Sequence, residues 1–395
     1  MDTPQIIELK EYETRAFDES TFSEGMAKEI HVSYGKQIIV EPPSFLNDHR
    51  WQLTSQGWVG YIPLADNIHI SLVPKVPVAN LFRMLEYAYR LDFRILEGLA
   101  DSQSIAELYE RLAMVLAKRV LDRSRKGLYR SYIPEDDTLP YVRGRIDVVS
   151  HLRNPQRVAL RCRFEEHTAD LADNQILLWA LTRILESGIC TERSLPHIRQ
   201  ARRALLGFSS LRPFSAKMCV DRLYNRLNQD YEPLHALCRF FLEHTGPTHL
   251  LGDRRMLPIL IDMDRLFELF VVEWLKQNAP PRYDVRSQEN VQFRMGHVLS
   301  INIDITVEDL EIGRTVFVLD TKYKGAEQPQ AGDVEQVVAY AEAKSCTKAA
   351  LVYPVQLKRP VSGMWGMDIH VRSLSFPLGG DLEEAGRSLL AELEE

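Results

Sequence analysis

With 395 residues, 45% of them hydrophobic and 26% charged, the chain has room for two or three domains and the composition of a folded globular protein, which excludes a disordered or fibrous one. The net charge of −7 argues against binding nucleic acid by charge alone, but Arg111 to Asp230 holds 22 Lys+Arg against 13 Asp+Glu, a +9 middle inside a −16 remainder. No apolar run nears the ~20 residues of a membrane helix, Met1-Asp2-Thr3-Pro4 does not open a secretory pattern, and the five cysteines contain no Cys-x-x-Cys, so a reduced, cytoplasmic protein with no membrane partner is expected.

In chain order, the first 75 residues read as β-rich. Glu29–Tyr34, Lys36–Val40, Trp58–Pro63 and Ile68–Val73 are the expected strands, the last following a turn at Ala65-Asp66-Asn67. From Val78 the period lengthens, with Leu81, Phe82, Leu85, Ala88 and Tyr89 making a helical stripe. A second helix starts at the capping box Ser104-x-x-Glu107 and ends at Gly127. Ile133–Pro140 reads as a turn-rich stretch leading into Tyr141–Asp147. Helices are expected over Asp173–Leu185, Arg193–Leu206 and Asp221–Leu227, so residues 76–230 form a mostly helical middle region. The basic residues clustered there suit phosphates or an acidic partner, and equally suit solvated helix faces. From residue 231 helices and strands mix as in an α/β domain. Asp381-x-x-Glu384 caps a terminal helix carrying Leu382, Ala385, Leu389 and Leu393.

The segment that carries chemistry runs from His297 to Lys324. Leu299, Ile301, Ile303 and Ile305 alternate with polar residues, which makes a half-buried strand with Asp304 on its polar face. Thr315–Lys324 is a second strand whose apolar front half suits the middle of a sheet. Asp320 and Lys322 are two apart and share a face. If the pair is a hairpin, its midpoint falls in the turn Glu308–Gly313, and Asp304 lies opposite Asp320. Two carboxylates and an amine then converge at a strand end. Hard carboxylate oxygens suit Mg²⁺, and a lysine beside them can orient water or offset developing negative charge. The plainer alternative is a strand-end salt bridge with Asp304 unrelated to it.

Two helices flank the hairpin. In the first, Leu266, Phe267, Phe270, Val271 and Trp274 form the buried face, and Glu268 on its flank either reaches the strand end or is solvated. In the second, Gln336 and Tyr340 are four apart on one face, placed to hold the lysine or contact a DNA backbone, or else the helix is simply a capped one that packs Val337, Val338 and Ala341. Lys348–Pro354 is a buried third strand. His244 and His249 do not have zinc-helix spacing, and Gly246-Pro247 breaks the helix between them, so a helix end is expected there. No Gly-x-Ser-x-Gly or Gly-x-Gly-x-x-Gly occurs, so serine-hydrolase and dinucleotide readings have no support, and without a Gly-x-x-x-x-Gly-Lys-Ser/Thr segment the chain supplies no P-loop.

This order of a helix with Glu, a strand with Asp, a strand with Asp-x-Lys and a helix with Gln-x-x-x-Tyr resembles the PD-(D/E)xK nuclease superfamily, with Ile303 where the motif has proline. The likeness narrows over residues 70–355. Ile70–Tyr89, Val142–Asp147, Leu171–Leu178, Met263–Glu268, Leu319–Lys324, Asp333-x-x-Gln-x-x-x-Tyr340 and Leu351–Pro354 look like the McrC family, the nuclease subunit of McrBC-type restriction systems. The resemblance implies an α+β multidomain protein: a β-rich domain over 1–75, a partner-docking middle over 76–230, and over 231–395 an endonuclease domain with a mixed sheet flanked by helices. It implies an Mg²⁺-dependent DNA endonuclease with Asp304 and Asp320 on the metal, Lys322 near the water, Glu268 and Gln336 in support, and Tyr340 and Lys324 at the DNA backbone or supporting the site. It also implies that the chain docks on an McrB-like AAA+ GTPase ring and stimulates its hydrolysis, the ring recognising modified cytosine. Arg143 and Arg145 are candidates for a partner-facing role or a charged strand surface. The rival expectations are a non-catalytic adaptor of a ring NTPase and a nuclease of the same superfamily acting alone.

Overall fold

The computed structural model describes all residues except 1–4, 19–20, 65–67, 92–104, 154–155, 157, 245–248, 252–253, 257, 296, 326, 367 and 395. Its contacts divide the chain into two compact units, one made of Met1–Leu108 with Gly246–Glu395 and the other of Tyr109–Thr245. The seams thus lie at 108/109 and 245/246 rather than at 75/76 and 230/231, and the first residues group with the last. No helix among the described residues is long and apolar enough to cross a membrane. The expected turn at Ala65-Asp66-Asn67 and cap at Ser104 lie outside the described residues, as does Gly246-Pro247.

The first unit begins with β1 (Gln5–Lys10), β2 (Thr14–Phe17), α1 (Glu24–Tyr34), β3 (Ile38–Glu41), β4 (Trp51–Ser55), β5 (Trp58–Pro63), β6 (Ile68–Val73) and α2 (Val78–Tyr89). Glu29–Tyr34, expected as a strand, belongs to α1. Met26, Ala27, Ile30 and Tyr34 recur at helical spacing on its buried side, and the Ser23 hydroxyl caps it by accepting from the Met26 amide. A six-residue window that alternates apolar and polar is compatible with either period, and the cap decides. The apolar faces of the surrounding strands, among them Leu9, Leu53, Ile62, Ile70 and Leu72, close one core with α1.

The second unit takes in most of α3 (Ile105–Lys126), then β7 (Ser131–Leu139), β8 (Arg145–Ile146), α4 (Val148–Arg153), β9 (Leu160–Thr168), α5 (Ala172–Ser187), α6 (Leu195–Leu206) and α7 (Glu232–His244). It is less purely helical than its sequence suggests, because β7, β9 and β8 form a three-stranded sheet. Ile133–Pro140, expected as turn, is mostly β7. It is an edge strand, where the missing amide hydrogen of Pro134 is tolerated, and Asp136 holds it to β9 by pairing with Arg161 and Arg163 at 2.7 and 3.3 Å. Asp221–Leu227 is not a helix. Asp221 is left-handed, and Asn225 and Asn228 side chains accept backbone amides locally, which competes with helix formation. In the core of this unit His235 Nε2 donates to the Asp173 carbonyl (3.0 Å) and Nδ1 lies 2.9 Å from the Tyr224 hydroxyl, and burial lowers the ring to about 4, which keeps it neutral.

The chain returns to the first unit with β10 (His249–Leu251), β11 (Arg254–Met256), β12 (Ile259–Asp262), α8 (Met263–Asn278), β13 (Tyr283–Met295), β14 (His297–Asp309), β15 (Arg314–Thr321), α9 (Ala331–Ala343), β16 (Lys348–Tyr353), β17 (Ser362–Trp365), β18 (Ile369–Ser375) and α10 (Leu382–Glu394). A six-stranded mixed sheet runs β13-β14-β15-β16-β18-β17, with β15, β16 and β18 parallel and the other neighbours antiparallel. Ile303, Val318, Val337, Ala341, Leu351 and Val371 join its core to α9. At Gly386 on α10 a Cβ would stand 2.2 Å from Trp274 of α8, so these helices approach through the glycine.

The two stretches of the first unit are joined by a shared sheet, β1-β6-β5-β12, in which β12 pairs antiparallel with β5 and Leu260 faces Gly60. A Cβ on Gly60, whose φ is +148°, would lie 1.8 Å from the Ile259 carbonyl oxygen. β12 runs directly into α8, and the Met263 amide donates to the Gly57 carbonyl (3.0 Å). The N-terminal sheet therefore anchors the start of the helix that carries Glu268.

Candidate active site

The hairpin register is the one that the alternation of apolar residues predicts. Ile305 faces Leu319 across β14 and β15, so one residue further on Asp304 comes opposite Asp320, and a bulge at Val307/Glu308 takes up the turn. Val318 and Leu319 are fully buried, and the strand delivers Asp320 to its end with no exposed surface. The backbone then leaves the ladder: the Lys322 amide donates to the Val352 carbonyl of β16, and the Lys322 ammonium lies 2.8 Å from Asp320 Oδ2.

Helix α9 fixes that ammonium from the other side. Gln336 Oε1 accepts from Lys322 Nζ at 3.0 Å, while Gln336 Nε2 donates to the Tyr340 hydroxyl at 2.6 Å. The two contacts fix which end of the amide faces the lysine, and Tyr340 is itself buried. Asp333, in the first turn of α9, adds negative charge 3.9 Å from Lys322. The same carboxylate binds Lys324 at 3.0 Å, and Gln330 Oε1 accepts from Lys324 at 3.0 Å. Glu268 on α8 accepts from the Gln288 side chain of β13 at 2.5 Å.

The electrostatics follow from enclosure. Burial pushes the Asp320 carboxyl up to about 7 against the lowering contact with Lys322, and Asp304 raises it further. Burial likewise lifts Glu268 to about 7, the Gln288 hydrogen bond opposing it and the Asp304 charge adding to it. Burial works to lower Lys322, but its bond to Asp320 and the charges of Asp320, Asp333 and Asp304 outweigh this and hold it above its ordinary value. Among the described residues, none donates a hydrogen bond to the enclosed Asp320 Oδ1. An undonated carboxylate oxygen beside a second carboxylate is a fit for a hard divalent cation. Among the described residues no group of three or more His, Cys, Asp or Glu side chains surrounds a common point, so the protein would offer such an ion two carboxylates and leave the remaining positions to water, as suits Mg²⁺.

A second anchor comes from the N-terminal strands. Tyr323, between the two lysines, is buried, and its hydroxyl donates to Glu11 Oε2 at 3.1 Å. Glu11 is 1% exposed and also accepts from the Lys75 amide at 2.8 Å. Burial raises both the Glu11 carboxyl and the Tyr323 phenol.

The structure thus brings Asp304, Asp320, Lys322, Gln336 and Tyr340 together, with Glu268 coupled to Asp304 by charge and Lys324 tied to Asp333. Arg143 and Arg145 belong to the second unit. Arg143 packs over the Phe164 ring (4.0 Å) and meets Glu166 at 3.5 Å, while Arg145 lies in β8 opposite Arg163. Sequence reading missed Gln288 and Glu11, and it gave no role to Asp333. A glutamine within a strand and a glutamate after one carry no motif, and only the folded chain places them.

The family described as McrBC 5-methylcytosine restriction system component matches residues 53–354, which is most of the chain. The type IV methyl-directed restriction enzyme EcoKMcrBC of Escherichia coli K12 is 23% identical over 269 residues, covering 63% of this chain and 74% of that protein. Among solved structures, the refined half-complex from the tetradecameric assembly of Thermococcus gammatolerans McrB AAA+ hexamers with bound McrC matches with a TM-score of 0.57 at 17% identity, over 98% of this chain and all of the matched chain. The chain belongs to the McrBC family of restriction-system components, and the resemblance to McrC read from its motifs agrees with both relatives.

Proposed function

We propose that the chain is the DNA endonuclease subunit of an McrBC-type restriction system, with a PD-(D/E)xK nuclease site in its six-stranded sheet and Mg²⁺ as its cofactor. The observation that carries this reading is the Lys322 ammonium, held 2.8 Å from fully buried Asp320 at the point where Asp304 faces it across the hairpin. A bound Mg²⁺ would supply a water of lowered pKa and positive charge against the phosphodiester oxygens. Asp304 and Asp320 would hold that ion. Lys322 orients the attacking water and offsets charge that develops on the phosphate, its direction fixed by Gln336 and, through it, Tyr340. Glu268, whose proton leaves near neutrality, supports the pair from α8. A non-catalytic adaptor would have no use for a buried Asp320 that an amine and an opposed carboxylate converge upon.

The partner in this reading is an McrB-like AAA+ GTPase ring, by analogy with the Thermococcus assembly in which McrC is bound to McrB hexamers. The substrate is DNA carrying modified cytosine, which the ring selects, and the second unit with its +9 segment is the docking portion. In the reconstituted complex with Mg²⁺ and methylated DNA, Asp304→Ala, Asp320→Ala and Lys322→Ala are each expected to lower cleavage by at least about 100-fold while ring binding persists. Full cleavage by any one of them overturns the assignment.

A further inference from the structure

β13 contains a residue that breaks its backbone pattern. Gln288 has φ +52°, in the left-handed region, though it sits within a thirteen-residue strand and is not glycine. The ladder to β14 is in the same register on both sides, with Ser287 facing Ile305 and Glu289 facing Ile303. No residue is inserted, so this is not a bulge. Gln288 itself falls at the position of Asp304, and it alone between Tyr283 and Met295 is left out of the ladder. An L-residue in this conformation is strained, and such strain persists where the surroundings over-determine it. They do so here: Glu289, the next residue, accepts from Thr306 Oγ1 (3.0 Å) and pairs with Lys344 at the end of α9. The departure has one visible product, the hydrogen bond from Gln288 Nε2 to Glu268 Oε1 at 2.5 Å.

We infer that Gln288 is a positioning residue of the active site, its left-handed backbone serving to turn the amide onto Glu268 and hold that carboxylate beside Asp304. The inference rests on the nuclease reading for its catalytic part. Glu268 stands on a different element from the metal-binding pair, α8 rather than the hairpin, and packing of the helix alone leaves a flexible side chain free to choose its rotamer. A donor from the strand adjoining β14 removes that freedom and ties the helix carboxylate to the strand that carries Asp304.

Three substitutions of Gln288, Glu268→Ala and one double variant separate this from a purely structural role. Gln288→Gly suits the backbone but deletes the amide, Gln288→Ala keeps the strain and deletes the amide, and Gln288→Asn keeps an amide in a residue that tolerates the left-handed region. In the ring complex with Mg²⁺ and methylated DNA, Gly and Ala are both expected to lower kcat about tenfold at unchanged KM, with Asn recovering part of the loss. In thermal unfolding of the chain alone, Gly is expected to melt above Ala by about 2–4 °C, and Ala to lower the midpoint in the wild-type background but not beside Glu268→Ala. Gln288→Gly with wild-type kcat overturns the inference, as does an alanine effect of equal size in the Glu268→Ala background. A wild-type complex that cleaves no DNA sinks the nuclease reading and the catalytic role together, and the unfolding cycle then still decides whether Gln288 holds Glu268.

Discussion

Asp320 and Glu268 each carry the cost of enclosure, and its sign can be measured. In the folded chain burial lifts both carboxyls to about 7, whereas an unfolded carboxyl releases its proton near about 4. Between those limits the folded state binds more protons than the unfolded one, so these groups take away stability as pH rises through the window. His235 acts the opposite way: burial lowers it to about 4, so its contribution is lost as pH falls below its unfolded value of about 6.5. The informative measurement is therefore a comparison. Without metal, the denaturation midpoint of Asp320→Asn is expected to gain on wild type as pH rises from about 5 to about 7.5, and added Mg²⁺ to narrow the gap by stabilising wild type alone. A wild type that gains on the variant over that range would contradict the enclosure of Asp320.

Between elements, the tightest constraint is the seam of β5 with β12. Gly60→Ala puts a methyl group 1.8 Å from the Ile259 carbonyl oxygen at a φ of +148°, against backbone of Ile259 and Leu260 that has no side-chain freedom to yield. The expected cost is about 3 kcal/mol or more, read as a fall in the urea midpoint, with cleavage lost through displacement of α8. An unchanged midpoint would mean that the strands separate without consequence. Legibility in the sequence followed the same elements. The hairpin register could be read because Leu299–Ile305 alternate strictly and the turn is short, so Asp304 and Asp320 paired as the midpoint required. Gln336 and Tyr340 were legible from helical spacing. Glu29–Tyr34 and Asp221–Leu227 were misread because a cap in one case, and Asn side chains bonding to nearby amides in the other, outweigh periodicity. Gln288 was illegible in principle, since its conformation comes from contacts made with α8, α9 and β14 rather than from its neighbours in sequence.

Over the whole chain, three domains in succession, at 1–75, 76–230 and 231–395, give way to an insertion. The second unit, Tyr109–Thr245, interrupts the first, whose N-terminal strands complete the sheet leading into α8. The net acidic charge of −7 and the basic segment within it belong to this plan, because the positive excess lies almost entirely in the inserted part. A fragment of residues 231–395 keeps the six-stranded sheet but lacks the strand beside β12 and the carboxylate that receives the Tyr323 hydroxyl. Circular dichroism is expected to show secondary structure in that fragment without a sharp melting transition. A cooperative transition near that of the full chain would show that the N-terminal strands are dispensable to the six-stranded sheet.

The bond between Glu11 and Tyr323 spans 312 residues of sequence. During synthesis Glu11 leaves the ribosome early and must wait for most of the chain to follow, while Asp320 and Lys322 emerge only just ahead of their support. Closing so distant a contact belongs to the slow, late part of folding. A polypeptide cut short before Tyr323 lacks the hydroxyl that Glu11 receives and also Gln336 and β16, which hold Lys322 in place. In the proposed nuclease reading, a chain released before that point carries the front of the hairpin without the helix and strand that would hold its lysine.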